Sequence, residues 1–350
     1  AILVFFLLLE GGLALFGVKP AFDQEDPFVG FASNVPLFVP APGPRGAQTM
    51  ATAANKLNNF NQQTFPRVKA PETYRIFTVG GSTTYGRPYN DVTSFSGWLR
   101  ELMPEVDQSR RWEVINAGGI SYASYRVAHL MEELINYQPD LFIIYTGHNE
   151  FLEERTYGQI KEIPPLVRST VSLLSKTRTW TAMTQVLQQV GINQEPEQQE
   201  KDTMAVEVDT ILDRSAGLGL YTRDDQLQAN VLNHFRVSLE RMVALAKSVD
   251  AEVILVSPAS SLNDCAPFKS EHTPGLDRES RQRSKQMLDQ AEAAIERQDW
   301  QSALDILEQA AVADPRHADL QYRYGQALLA TGSRQAAAEA FRRAREEDVC

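Results

Sequence analysis

The sequence predicts an α/β/α sandwich followed by an all-α repeat segment, and three observations carry that expectation. Short apolar strands separated by helix-length amphipathic stretches recur between Tyr74 and Val256, the pattern of parallel βαβ units with helices on both sheet faces. The first three strand candidates each run into a polar turn rich in Gly or Asn. After Ser280 the chain turns to Ala-rich helical patterns that repeat at a spacing of 34 residues, as from Ala303 to Ala337. With 350 residues, 43% of them hydrophobic, there is room for two domains with cores of their own. A formal charge of −11, with acidic and basic residues intermixed, argues against general nucleic-acid binding.

Residues 1–18, AILVFFLLLEGGLALFGV, are apolar apart from Glu10 and a few glycines. That falls just short of the ~20 residues of a membrane-spanning helix. We expect an N-terminal membrane anchor, clipped at its start, with the remainder outside the cytoplasm at the periplasmic or cell surface; a buried core helix is the plainer alternative. Lys19-Pro20 follows directly, so no small-residue cleavage pattern marks a signal peptide. Residues 19–72 contain PAFDQEDPF, VPLFVPAPGP and NNFNQQTFP and read as an extended connector lying on the next domain.

The α/β domain is expected over 73–280. Strand Arg75–Val79 precedes a periodic stretch around Trp98-Leu99 and Leu102, and strand Trp112–Asn116 precedes Tyr125–Tyr137, which ends before Pro139. Strand Leu141–Tyr145 comes next, and Asn230–Ser248 leads into strand Val253–Val256. A helical insertion, 155–225, interrupts the alternation. Within it 166–190 reads as one amphipathic helix and 192–208 is polar; a lid over the strand ends and a surface elaboration both fit. In 281–350, Ala303, Leu307 and Ala310 recur as Ala337, Phe341 and Ala344; Pro315 closes the first unit and Tyr324-Gly325 sits at the first-helix contact of the second. This spacing resembles the tetratricopeptide repeat. Each such unit buries its face on a neighbour, so the repeats either dock on the α/β domain or continue past Cys350, where they would precede a final block of that domain.

The turn Gly80-Gly81-Ser82-Thr83 ends the first strand, and a serine on a sharp glycine-assisted turn has an exposed hydroxyl and open backbone N–H groups. Asn116-Ala117-Gly118-Gly119 ends the second strand and Thr146-Gly147-His148-Asn149-Glu150 the third. Parallel topology lays these strand ends along the one sheet edge where open α/β sheets bind ligands. Ser82 Oγ is then the candidate nucleophile toward an acyl carbonyl. The N–H groups of Ser82 and Gly118 and the Asn149 amide are candidate oxyanion donors, one such donor being worth roughly 3–4 kcal/mol of barrier.

GGST, NAGG and GHNE, in this order on these elements, resemble blocks I, II and III of the SGNH (GDSL-type) hydrolases, from about Tyr74 to Ser257. Block I departs from Gly-Asp-Ser by having Gly81 where the Asp stands. The resemblance implies a flavodoxin-like sandwich and serine esterase or acyl-transfer chemistry, with Ser82 as nucleophile and Gly118 and Asn149 as oxyanion donors. It also calls for an Asp-x-x-His that supplies the base. The one instance, Asp314-Pro315-Arg316-His317, falls where a repeat closes and reads as an inter-repeat turn. His129 and His234 lie in helix patterns, His148 lines the third block, and His272 lacks the Asp-x-x spacing. We therefore expect the base beyond residue 350 and this chain alone to be nearly inert.

The expected substrate is an ester-containing small molecule, lipid or glycan, with a protein partner for the repeats. A non-catalytic, membrane-anchored interaction protein and an acyltransferase on cell-envelope glycans are the competing readings. No cofactor or metal is expected: the Gly80 turn lacks the glycines of a dinucleotide loop and the Lys of a P-loop. Cys265 and Cys350 form no CxxC or Cys/His cluster, and nothing in the sequence requires them to pair.

Overall fold

The computed structural model describes residues 2–20, 35–152, 165–189 and 221–349. The polar stretch 192–208, the connector's 21–34 and Cys350 lie outside the described residues. Two compact units emerge, Ala1–Arg214 with Ala229–Pro258 and Ser215–Gln228 with Ala259–Cys350. The unit boundary thus falls after residue 258, earlier than the expected 280.

The first unit is built on a parallel four-stranded sheet of β4 (Thr73–Gly80), β5 (Arg111–Gly118), β6 (Leu141–Tyr145) and β7 (Glu252–Leu255), in the order β5-β4-β6-β7. Alternate side chains divide between two layers, as the strand pleat requires. Phe77, Val79, Ile115, Ala117, Phe142 and Ile144 join one core with α4 (Ser124–Leu134) and with Met242 and Ala246 of α7 (Asp225–Lys247). Ile76, Val114, Leu141 and Ile143 face Phe95 and Leu99 of α3 (Phe95–Val106). The α/β sandwich is therefore three layers deep, and its core was readable from the apolar strand runs.

The connector is more ordered than its composition suggests. Residues 38–66 form a three-stranded antiparallel sheet, β1 (Phe38–Pro42), β2 (Gln48–Thr52) and β3 (Thr64–Pro66). Pro40 and Pro42 hid it from sequence reading, but β1 is an edge strand, where proline is tolerated. Phe38, Met50 and Phe65 are buried in the main core, and both Glu133 carboxylate oxygens accept backbone N–H groups, of Leu37 and Phe38. Arg75, wholly buried, ties the two sheets together. It donates to Glu113 Oε2 at 2.9 Å, the Tyr137 carbonyl at 2.6 Å and the Pro66 carbonyl at 2.8 Å, and lies over the Phe65 ring.

Residues 2–15 form α1 (Ile2–Leu15), 14 residues long. Among the described residues no helix is long and apolar enough to cross a membrane. The single helix expected over 166–190 is two, α5 (Pro165–Leu174) and α6 (Arg178–Gln189). The break comes at Ser175-Lys176-Thr177, where Thr177 Oγ1 accepts the Trp180 N–H and starts a new helix.

The second unit holds α8 (Arg278–Glu296), α9 (Trp300–Ala313), α10 (Ala318–Ala330) and α11 (Arg334–Glu346). Ala291, Ala303, Leu307 and Ala310 are buried together, and Gly325 lets the Phe341 ring sit where its own Cβ would be, 2.7 Å away. Asp314 and His317 serve the closure between α9 and α10. The buried Asp314 carboxylate accepts from Thr273 N–H, Thr273 Oγ1 and His272 Nδ1, and His317 Nδ1 accepts the Leu320 N–H at the start of α10. Cys265 is an exposed free thiol.

Two stability outcomes follow from these buried polar groups. Arg75→Ala strands Glu113 and two carbonyls, so urea denaturation should show a loss of about 3 kcal/mol or more; a change within experimental error would mean that the buried cation does not tie the sheets. Burial lowers the pKa of His317 below its ordinary 6.5, so its neutral, helix-capping form is stable above that value and loses its contribution as pH falls through 6.5 toward the depressed value. Helix-specific unfolding in the repeats should thus become easier on mild acidification. His317→Asn, which retains a cap acceptor, should flatten that slope.

Candidate active site

The strand register levels the three polar turns: Gly80 pairs with Gly118 on one side and with Tyr145 on the other. Gly80 has a φ of +157°, and a Cβ there would lie 1.9 Å from the Tyr145 carbonyl oxygen. Only glycine fits. The same carbonyl accepts the Thr84 hydroxyl at 3.1 Å, which fastens the short helix α2 (Ser82–Tyr85) to the end of β6. Gly81 is the N-cap of α2 in extended conformation. A Cβ on it would stand 2.8 Å from Asn149 Nδ2 and 3.0 Å from the Tyr122 carbonyl oxygen. The amide of Asn149 thus fills the space a side chain at 81 would need.

Ser82 is the first residue of α2 and half-buried. Among the described residues its Oγ and its N–H make no hydrogen bond, while its carbonyl accepts from Gly86 and Arg87. Asn149 is buried and donates one Nδ2 hydrogen to the Tyr122 carbonyl at 3.0 Å, which fixes the amide plane and leaves the second Nδ2 hydrogen for another acceptor. Gly118 plays a different part from the one expected. Its N–H is already donated to Asn116 Oδ1 at 3.0 Å, and a Cβ on it would strike Tyr85 N at 2.4 Å and Thr84 C at 2.6 Å. Gly118 supplies the room in which the backbone of α2 rests on β5.

A partly buried polar network below α2 was not visible in the sequence. Asn116 Nδ2 donates to Asp91 Oδ1 at 2.7 Å and to the Tyr85 carbonyl at 3.2 Å. Asn61 Nδ2 donates to that same carbonyl at 2.8 Å. Asp91 also takes Arg100 and Gln63 Nε2. The last turn of α2 is thus held by amides from β5 and from the connector. Glu150, beside Asn149, caps α4 by accepting Ser124 N–H at 2.9 Å and Ser124 Oγ at 2.6 Å, a favourable place for a carboxylate near a helix N-terminus.

His148 lies on the same loop, edge-on to Tyr145 at 5.1 Å, and partial desolvation lowers its pKa below 6.5. His129 contacts Glu132 and Tyr125, and His234 packs on Tyr125. Among the described residues no group of three or more His, Cys, Asp or Glu is placed to hold a metal.

Residues 294–349 match the tetratricopeptide repeat family. No curated protein matches the chain. Among solved structures, the chain is similar to a crystal structure of AlinE4, an SGNH-hydrolase family esterase, at 14% identity and a TM-score of 0.22, over 53% of this chain and 77% of that one. Two mutants of the esterase AlinE4 match over the same shares at 15% identity and a TM-score of 0.24. Likeness at this level fixes neither fold nor activity.

The contact at Gly81 gives a direct check on this geometry. Gly81→Ala should displace the Asn149 amide and cut the reactivity of Ser82 toward a fluorophosphonate by roughly tenfold to a hundredfold, with far-UV circular dichroism unchanged. Reactivity equal to wild type would show that Asn149 does not sit against the turn.

Proposed function

We propose that the first unit is a serine acyl hydrolase acting on an O-acyl ester. The observation that carries the reading is Ser82 itself: an unpaired hydroxyl and unpaired N–H, among the described residues, on a turn that two glycines force against the Asn149 amide. Attack of Ser82 Oγ on the ester carbonyl forms a tetrahedral oxyanion, and the Ser82 N–H and the second Nδ2 hydrogen of Asn149 are the donors left to hold that charge. The Gly118 N–H joins them only if Asn116 releases it. Collapse of the oxyanion breaks the ester C–O bond and expels the alcohol, which leaves with the proton the base took from Ser82. Water then hydrolyses the acyl-enzyme to the free acid and restores the Ser82 hydroxyl, and an acceptor sugar in its place would make the same site a transferase.

The base belongs to polypeptide following residue 350. Asp314 and His317 are committed to the repeat closure. On β7, Ile254 and Leu255 stand about half exposed on a strand whose composition suits a sheet interior, which favours a further strand beside it. In this reading the repeats interrupt the hydrolase and offer a surface for a protein partner, and the apolar residues 1–18 favour a membrane location outside the cytoplasm.

A serine-directed fluorophosphonate should label the protein extended past residue 350 at Ser82, and label the 350-residue chain far more slowly. Labelling that survives Ser82→Ala would remove the assignment, and a non-catalytic scaffold that works through its repeats would then be the better account.

A further inference from the structure

We infer that α1 and the α5–α6 pair form one lipid-facing surface, assembled through Glu10. This rests on the membrane placement proposed above and extends it to a second element of the chain. Glu10, the one charged residue of α1, is turned away from solvent toward the start of α6. Its carboxylate accepts Thr179 N–H at 2.7 Å and Arg178 N–H at 3.0 Å. Those hydrogen bonds hold its pKa below the ordinary carboxylate range despite desolvation, and Arg178 Nε donates to the Val18 carbonyl at 3.1 Å. The charge in an otherwise apolar helix is thus a docking device, neutralised by a helix N-terminus.

What α1 leaves uncovered points to lipid as the occupant. Phe5, Phe6, Leu7 and Leu8 are 63%, 49%, 65% and 72% exposed. Four consecutive positions about 100° apart sweep most of the helix circumference, whereas a protein partner covers one face. Leu15 and Phe16 are exposed more fully still. In the pair that follows, Val167, Leu173 and Leu174 of α5 and Met183 of α6 also expose apolar side chains. Lys19, Lys176 and Arg178 gather where α1 ends and α6 begins, as suits a headgroup layer carrying anionic lipid. A helix apolar all round, docked on an amphipathic pair, suits contact with lipid.

Flotation of the full chain with phosphatidylcholine vesicles, with and without phosphatidylglycerol, tests this. Wild type should float, more completely with the anionic lipid. Leu173→Glu with Met183→Glu should lower the partition coefficient by roughly tenfold or more, and Phe5→Glu with Leu8→Glu by at least as much. These side chains are exposed, so circular dichroism should be unchanged; Leu173→Ser with Met183→Ser, a milder pair, should give an intermediate loss. Wild-type flotation of both α5–α6 variants, alongside loss in the α1 variant, would leave the membrane placement standing and overturn the α5–α6 surface. Failure of wild type to float, or self-association in its place, would overturn both.

Discussion

The arrangement depends on one close approach, the packing of the Gly80–Gly81 backbone against the end of β6 and the loop behind it. Both glycines are there because other atoms occupy their Cβ positions: the Tyr145 carbonyl oxygen at 80 and the Asn149 amide at 81. The consequence is chemical as well as steric. The chain must turn sharply from β4 into α2 at this point, so the next residue, Ser82, meets a helix start with its N–H and hydroxyl unpaired among the described residues. A single side chain at either position would separate the serine from its neighbouring amide.

Around that contact the protein places rigid support instead of further reactive groups. Asn116 both holds the Gly118 N–H and reaches across to the Tyr85 carbonyl, so β5 and α2 are fixed by one amide. Asp91 and Arg100 form a paired charge beside it, and Asn61 and Gln63 bring the connector into the same network. Buried polar groups are favourable when each has partners, and here the satisfied network serves to orient a four-residue helix too short to hold its own geometry.

Much of this was legible in the sequence, and what was missed has definite causes. The apolar strand runs and their polar ends located β4, β5 and β6 and the three turns, because parallel strands buried on both faces must be continuously apolar. The 34-residue spacing located the repeats, since the residues that recur, such as Leu307 and Phe341, are those where helices touch. NNFNQQTFP read as connector because its amides show no periodicity, yet Asn61 and Gln63 are structural by virtue of what lies next to them in space. Nor does sequence reveal that a backbone N–H such as that of Gly118 already has a partner two residues away. Glu10 stands out in the sequence only as the one charge of an apolar run; its bonds to the start of α6 are tertiary and leave no mark there.

The central claim is geometric: Ser82 attacks, and the charge that forms is held by its own N–H and by Asn149. A crystal structure of the protein after reaction with a phosphonate ester measures this directly. The account predicts phosphorus bonded to Ser82 Oγ, with one phosphoryl oxygen about 2.7–3.1 Å from both Ser82 N and Asn149 Nδ2. An adduct on another residue, or a phosphoryl oxygen turned to solvent with Asn149 still bound only to the Tyr122 carbonyl, would contradict it.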